Sequence, residues 1–264
     1  MTLSVIGNLA ILVMLLLFLY RLQQTHVSFT RRVFSGLGLG VLFGWALQLL
    51  YGVGSEVLVQ TGDYLDLVGS GYVKLLQMII IPLIMVSIIG AILKLSGGSA
   101  LGKISALTIG VLIFTTMIAA GAGILMSNLF GLSAEGLVAG AAETARGAAL
   151  QTSLGSVESM SLAKMVLEFI PANPFLDMTG SRKTSTIAVV IFSIFIGLSA
   201  TGIARKQPEI FASFERFMGV AHAIVMRMVT LVLRLTPYGV LALMAKVVSG
   251  SNYADIINLL NFVL

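Results

Sequence analysis

Five stretches of this chain run without a charged residue for about as long as a helix needs to cross a membrane: Met1 to Tyr20, Val33 to Gly54, Leu75 to Leu93, Ile104 to Ala134 and Thr184 to Ala204. About 20 mostly apolar residues cover the roughly 30 Å of hydrocarbon. An unpaired backbone group is costly there, so such runs fold as helices. A soluble reading would require an implausibly large dry core, because 58% of the 264 residues are hydrophobic and only 10% are charged. The expected fold class is an all-α polytopic membrane protein.

A sixth span is expected between Phe217 and Ala245, interrupted by Arg227 and Arg234, which cost about 3 kcal/mol each near a bilayer centre and less when they snorkel. Snorkelling or pairing is the better reading of both arginines than substrate binding. The apolar stretch Ile256 to Leu264 is too short to span, so the chain is expected to stop within a helix. Met1 to Tyr20 has no basic residue before its apolar core and no small-residue cleavage site after it, and reads as a retained helix rather than a signal peptide.

The net charge of +5 invites a nucleic-acid reading until it is mapped. Arg21, Arg31 and Arg32 lie between the first two spans, Lys94 and Lys103 between the third and fourth, and Arg205, Lys206 and Arg216 between the fifth and sixth. The connection from Val53 to Asp66 has no basic residue and carries Glu56, Asp63 and Asp66. The positive-inside rule therefore puts the odd connections in the cytoplasm and the N-terminus outside, and no nucleic-acid partner is needed. Arg146, Lys164, Arg182 and Lys183 in the long fourth connection run against this pattern, but long loops obey the rule less strictly. Cysteine is absent, which removes disulfides and thiolate metal sites.

Gly36, Gly40 and Gly44 fall four apart in the second span, the small-xxx-small spacing that lets helix backbones approach. A dinucleotide fingerprint fails, because Val41 and Phe43 stand where its last glycine belongs. Ala119 to Gly123 gives a similarly narrow region in the fourth span. From Gly131 to Lys183 small and polar residues give way to an amphipathic segment, Leu162 to Ile170, halted by Pro171 and Pro174. A broken helix followed by a full span is expected over 160–204. Pro82 frees a carbonyl inside the third span, with Gln77 and Ser87 as candidate partners.

Thr115 and Thr116 sit near the middle of the fourth span. Their hydroxyls can bond back to the preceding turn, and they are also the hard oxygen donors that a desolvated alkali cation requires. No enzyme emerges: the histidines, His26 and His222, lie near membrane edges, and no metalloprotease or nucleophile-elbow motif is present. Ser161 to Lys164 has the Ser-x-x-Lys spacing of an acylating serine without its companion motifs.

The blocks "KLLQMIIIPLIMVSII", "GKISALTIG", "IPANPFLDMTG" and "LTPYGVLALMAKVV" resemble, in order and spacing, the dicarboxylate/amino acid:cation symporters, the glutamate-transporter fold. The resemblance covers about residues 30–264; the extra N-terminal helix and "NLFGLSAEGLVAGAAETARGAA" look most like the bacterial L-cystine uptake permeases of that family. It implies a homotrimer whose protomers each hold a fixed scaffold and a mobile transport domain, with sodium or a proton as coupling ion, no other cofactor, and an amino acid such as L-cystine as substrate. It further implies an extra helix and cytoplasmic loop over 1–32, scaffold helices over 33–100 and 184–251, and a transport-domain helix over 101–130. An extracytoplasmic loop and broken helix would fill 131–183, and a truncated helix would begin at 252. Pro82, Pro171, Asn173, Pro237 and Gly239 are structural positions within the matching blocks. Thr115 and Thr116 fall where the family has a Thr-Ser pair that ligates sodium, although the tyrosine three positions earlier in that pattern is Leu112 here. The two re-entrant hairpins and the substrate-binding helices are expected beyond Leu264, so residues 1–264 alone are expected not to transport. The alternative is a non-transporting membrane scaffold or oligomerisation module, which sequence beyond Leu264 would discriminate.

Overall fold

The computed structural model describes residues 3–25, 27–95, 101–129, 147–148, 150–151 and 161–251. The expected loop over 131–146, most of its continuation to 160, and the helix expected to begin at 252 lie outside these residues. Among the described residues every regular element is helical, and six helices are long and apolar enough to cross a membrane. They are α1 (Leu3–Gln24), α2 (Phe29–Tyr51), α3 (Glu56–Leu95), α4 (Leu101–Leu129), α7 (Ser185–Ile203) and α8 (Pro208–Leu233). Between them stand the short helices α5 (Leu162–Phe169) and α6 (Pro174–Met178), and α9 (Thr236–Gly250) follows α8. Contacts divide the chain into two compact units, Met1–Leu83 with Ala223–Leu264, and Ile84–His222.

Two boundaries differ from expectation. The sixth span is not one helix over 217–245: α8 ends at Leu233, and α9 starts at Thr236 with Pro237 in its first turn. Proline lacks the N–H that a continuing helix would use, and its fixed φ suits a new helix start. The acidic stretch from Glu56 to Asp66 is not a loop but the first turns of α3, which has 40 residues, twice what the hydrocarbon requires. The α2–α3 connection shrinks to residues 52–55, where Gly52 (φ 73°) and Gly54 (φ 83°) supply left-handed backbone. Ser55 then caps α3, its Oγ accepting from the Leu58 N–H at 3.3 Å. α3 runs unbroken through Pro82. Gln77 and Ser87 make no side-chain hydrogen bond among the described residues, so neither serves the freed carbonyl.

In the first unit the glycine run of α2 meets α9 backbone to backbone. Gly36 faces Pro237, Gly40 faces Leu241 and Gly44 faces Ala245, so the two helices run parallel in register. A Cβ at Gly40 or Gly44 would stand 2.5 Å from the carbonyl oxygen of Leu241 or Ala245, closer than any side chain is tolerated. Gly239 of α9 in turn receives the ring of Tyr72, whose hydroxyl lies 2.8 Å from Thr236 Oγ1. Around this contact Leu12, Leu19, Phe43, Leu47, Leu58, Leu65 and Leu241 form the core. In the second unit α5 and α6 pack on α7, whose Ser185, Val189, Ser193 and Gly197 form a buried stripe of four-residue period. Gly197 meets Ile92 of α3, a small residue again admitting a neighbour.

Candidate functional site

Polar groups held inside apolar helices mark function more sharply here than any pocket. Thr115 and Thr116 lie mid-way along α4, and both hydroxyls are turned to their own helix. Thr115 Oγ1 donates to the carbonyls of Val111 (2.9 Å) and Leu112 (3.1 Å), and Thr116 Oγ1 donates to Leu112 (2.7 Å). Donation spends the hydrogen and leaves the oxygen lone pairs free, so the arrangement is compatible with cation ligation. Two hydroxyls fall short of the six or so oxygens that a hard cation collects. The described side chains of α4 from Ala106 to Met126 are exposed, so the described residues do not enclose the two hydroxyls.

The structure assembles three polar clusters that the sequence reading did not single out. In the first unit Asn8 Nδ2 donates to Thr61 Oγ1 at 3.2 Å, and Asn8 Oδ1 accepts from the Tyr51 hydroxyl at 3.2 Å, with Asn8 3% and Thr61 1% exposed. An asparagine within an uncharged apolar helix was the available signal. On the same unit Lys246 of α9 forms an ion pair with Asp66 of α3, which also accepts from Ser70 Oγ at 3.0 Å. This pair was hidden by the reading of Asp66 as a loop residue. Gln48 Nε2 donates to the Ser251 carbonyl at 2.5 Å, closing the far end of the α2–α9 seam.

In the second unit the Oδ1 of the buried Asp177 carboxylate accepts from Arg182 Nε at 2.8 Å and from the Ser185 hydroxyl at 3.3 Å, and Arg182 Nη2 stands 2.6 Å from it as an ion pair. Arg182 Nη1 also reaches the Glu168 carbonyl at 3.4 Å, tying α5, α6 and α7 together. Asn173 caps α6 through Oδ1, which accepts from the N–H groups of Phe175 (3.0 Å) and Leu176 (3.3 Å), with Pro174 at the first helical position. Pro171 follows Ile170, the residue that caps the end of α5. Ser161 caps α5, its Oγ accepting from the Lys164 N–H at 3.4 Å. The Ser-x-x-Lys spacing is thus that of a helix cap. Among the described residues no group of His, Asp and Glu is placed to hold a metal ion.

A cavity of about 500 Å³ in the second unit is lined by Ser87, Gly90 and Lys94 of α3 and by Glu215, Gly219 and His222 of α8. It joins none of the three clusters to the threonine pair. The described residues therefore hold seams between helices, with two threonine hydroxyls side by side mid-way along α4.

Residues 29–264 match the sodium:dicarboxylate symporter family. The whole chain is 52% identical over 263 residues to the L-cystine uptake protein TcyP of Bacillus cereus and to that of Bacillus anthracis. It is 48% identical over 263 residues to that of Bacillus subtilis. In each case it spans 57% of the relative's length. On the family match, on this likeness throughout its length and on its spanning helices, the chain belongs to the sodium:dicarboxylate symporter family.

Proposed function

We propose that these residues form the N-terminal part of a cation-coupled symporter that imports an amino acid, L-cystine in the first instance. The observation that carries this reading is the 52% identity, sustained over the whole of this chain, to proteins named for L-cystine uptake. In this reading α2, α3 and α7 to α9 belong to the stationary scaffold and its trimer contacts. The tight α2–α9 seam and the Asp66–Lys246 pair support it, since both hold helices in one register. α4 belongs to the mobile part, and the exposure of its described side chains suits a helix covered by further polypeptide or by lipid. Thr115 and Thr116 contribute two oxygens to the coupling-ion site, sodium or proton being the driving ion. The basic connections face the cytoplasm, and the role is carriage rather than catalysis.

The test is uptake of labelled L-cystine by cells that express the full coding sequence containing these residues and lack their own cystine uptake. Accumulation should collapse when the ion gradient is dissipated and should be competed by cystine more strongly than by aspartate or glutamate. Residues 1–264 alone should insert without accumulating cystine. Background uptake by a correctly inserted full-length protein would favour the membrane-scaffold reading.

A further inference from the structure

At the arginine-bearing end of α1 a cavity of about 420 Å³ opens between that helix and the start of α9, within the first unit. Its walls are aliphatic, with Val13 and Leu17 from α1 and Leu235 from the turn before α9. Its mouth is polar, formed by Tyr20, Gln23, Arg234 and Tyr238. Val13, Leu17 and Tyr20 share one helix face, and Tyr20 stands about 10 Å along the axis from Val13. An apolar trough thus leads directly to a polar rim.

The rim offers mainly donors. Tyr238 gives its hydroxyl hydrogen to Gln23 Oε1 at 3.2 Å, which uses the acceptor of that amide and leaves its NH2 free. Tyr20 Oη accepts from Gln24 Nε2 at 2.8 Å and keeps its own O–H to donate. Arg234 is exposed and has no acidic partner among the described residues. No carboxylate competes on the surrounding sequence: the chain has no acidic residue before Glu56 and none between Glu215 and Asp255. Arg21, Arg31 and Arg32 flank the α1–α2 connection at the same end. The Nε of Arg32 is buried without a hydrogen-bond partner.

We propose that this groove is a binding site for an anionic phospholipid, with an acyl chain along Val13 and Leu17 and the phosphate against Arg234, Tyr20 and Gln23. A cation and neutral donors above an apolar trough match an acyl chain that ends in a phosphodiester. They match a choline headgroup poorly, because the rim has no carboxylate for its ammonium. One wall is α1, which lies outside residues 29–264, the part that matches the family. The site does not depend on which amino acid is carried.

The experiment uses the purified full-length protein and measures retained lipid by native mass spectrometry, with phosphatidylglycerol and phosphatidylcholine offered in turn. Phosphatidylglycerol should be retained in preference. Arg234→Gln should weaken its binding about fivefold, the effect of one basic residue at an anionic surface, without changing the melting temperature in phosphatidylcholine. Leu17→Trp, which fills the trough and keeps every charge, should displace the lipid as well. Arg227→Gln, an exposed arginine of α8 outside the groove, should change neither property. Equal retention of the two lipids, unchanged binding in both groove variants, or displacement of the lipid by inorganic phosphate would overturn the proposal. Absence of cystine uptake would bear on the transport reading alone.

Discussion

Four glycines of one helix run separate two kinds of glycine. A Cβ at Gly40 or Gly44 meets backbone of α9, which cannot turn aside as a side chain can, whereas nothing lies within 4 Å of Gly38. Gly40→Leu should therefore cost about 3 kcal/mol, at the upper end for overpacking, and show as lost folded protein in a thermal melt in detergent. Gly38→Ala should gain about 0.5 kcal/mol, because it removes a helix-interior glycine without meeting anything. Equal effects of the two would mean that the α2–α9 seam is not the close backbone contact described. The four-residue spacing of Gly36, Gly40 and Gly44 was legible in the sequence; that their partner is α9 was not, since nothing local to α2 names it. Ser161 shows the reverse case. A spacing that suggests an acylating serine is satisfied by a cap, because N-cap to N3 is the same three-residue step.

Helix positions were readable to within a few residues wherever an uncharged run had an end, and unreadable where charge lay inside a helix. Asp66 was read with the acidic residues of a connection, whereas it lies inside α3, about a third exposed (35%), and pairs with Lys246 of α9. Which face of each helix is buried was also hidden. The buried residues of α1 include Val5, Leu12 and Leu19, those of α3 Leu58, Leu65, Tyr72, Ile79, Val86 and Leu93, and those of α8 Met218, Val225 and Val232. All three series repeat every seven residues, the period of left-handed helix packing. Composition cannot show such a stripe, because the lipid-facing side is as apolar as the packed side. At this scale the joint between α5, α6 and α7 is the element contact most exposed to a single change. Arg182→Ala would leave Asp177, 1% exposed, as a buried charge without its counterion, and should cost about 3 kcal/mol. A loss under about 1 kcal/mol in the same melt would mean that Asp177 draws its stabilisation from Ser185 and solvent instead.

For the whole molecule the family is legible from ordered blocks, and the working site is not, because the described residues bring no third oxygen to Thr115 and Thr116. The sidedness of the helices is open to test at this scale, beginning with α1. It is fixed to its neighbours through Asn8, which bonds Thr61 of α3 and Tyr51 of α2, so α1 is packed into the first unit. If the basic α1–α2 connection is cytoplasmic, the short α2–α3 connection must be outside, as α2 crosses once between them. The sequence of this chain has no cysteine, so a single introduced thiol reports without background from it. Val53→Cys, at an exposed position of the α2–α3 connection, should react with a membrane-impermeant maleimide in intact cells. Thr25→Cys, at the exposed end of α1, should react only after permeabilisation. The opposite labelling would invert the sidedness of every helix while leaving each contact between them in place. Labelling of both positions in intact cells would mean that α2 does not cross at all.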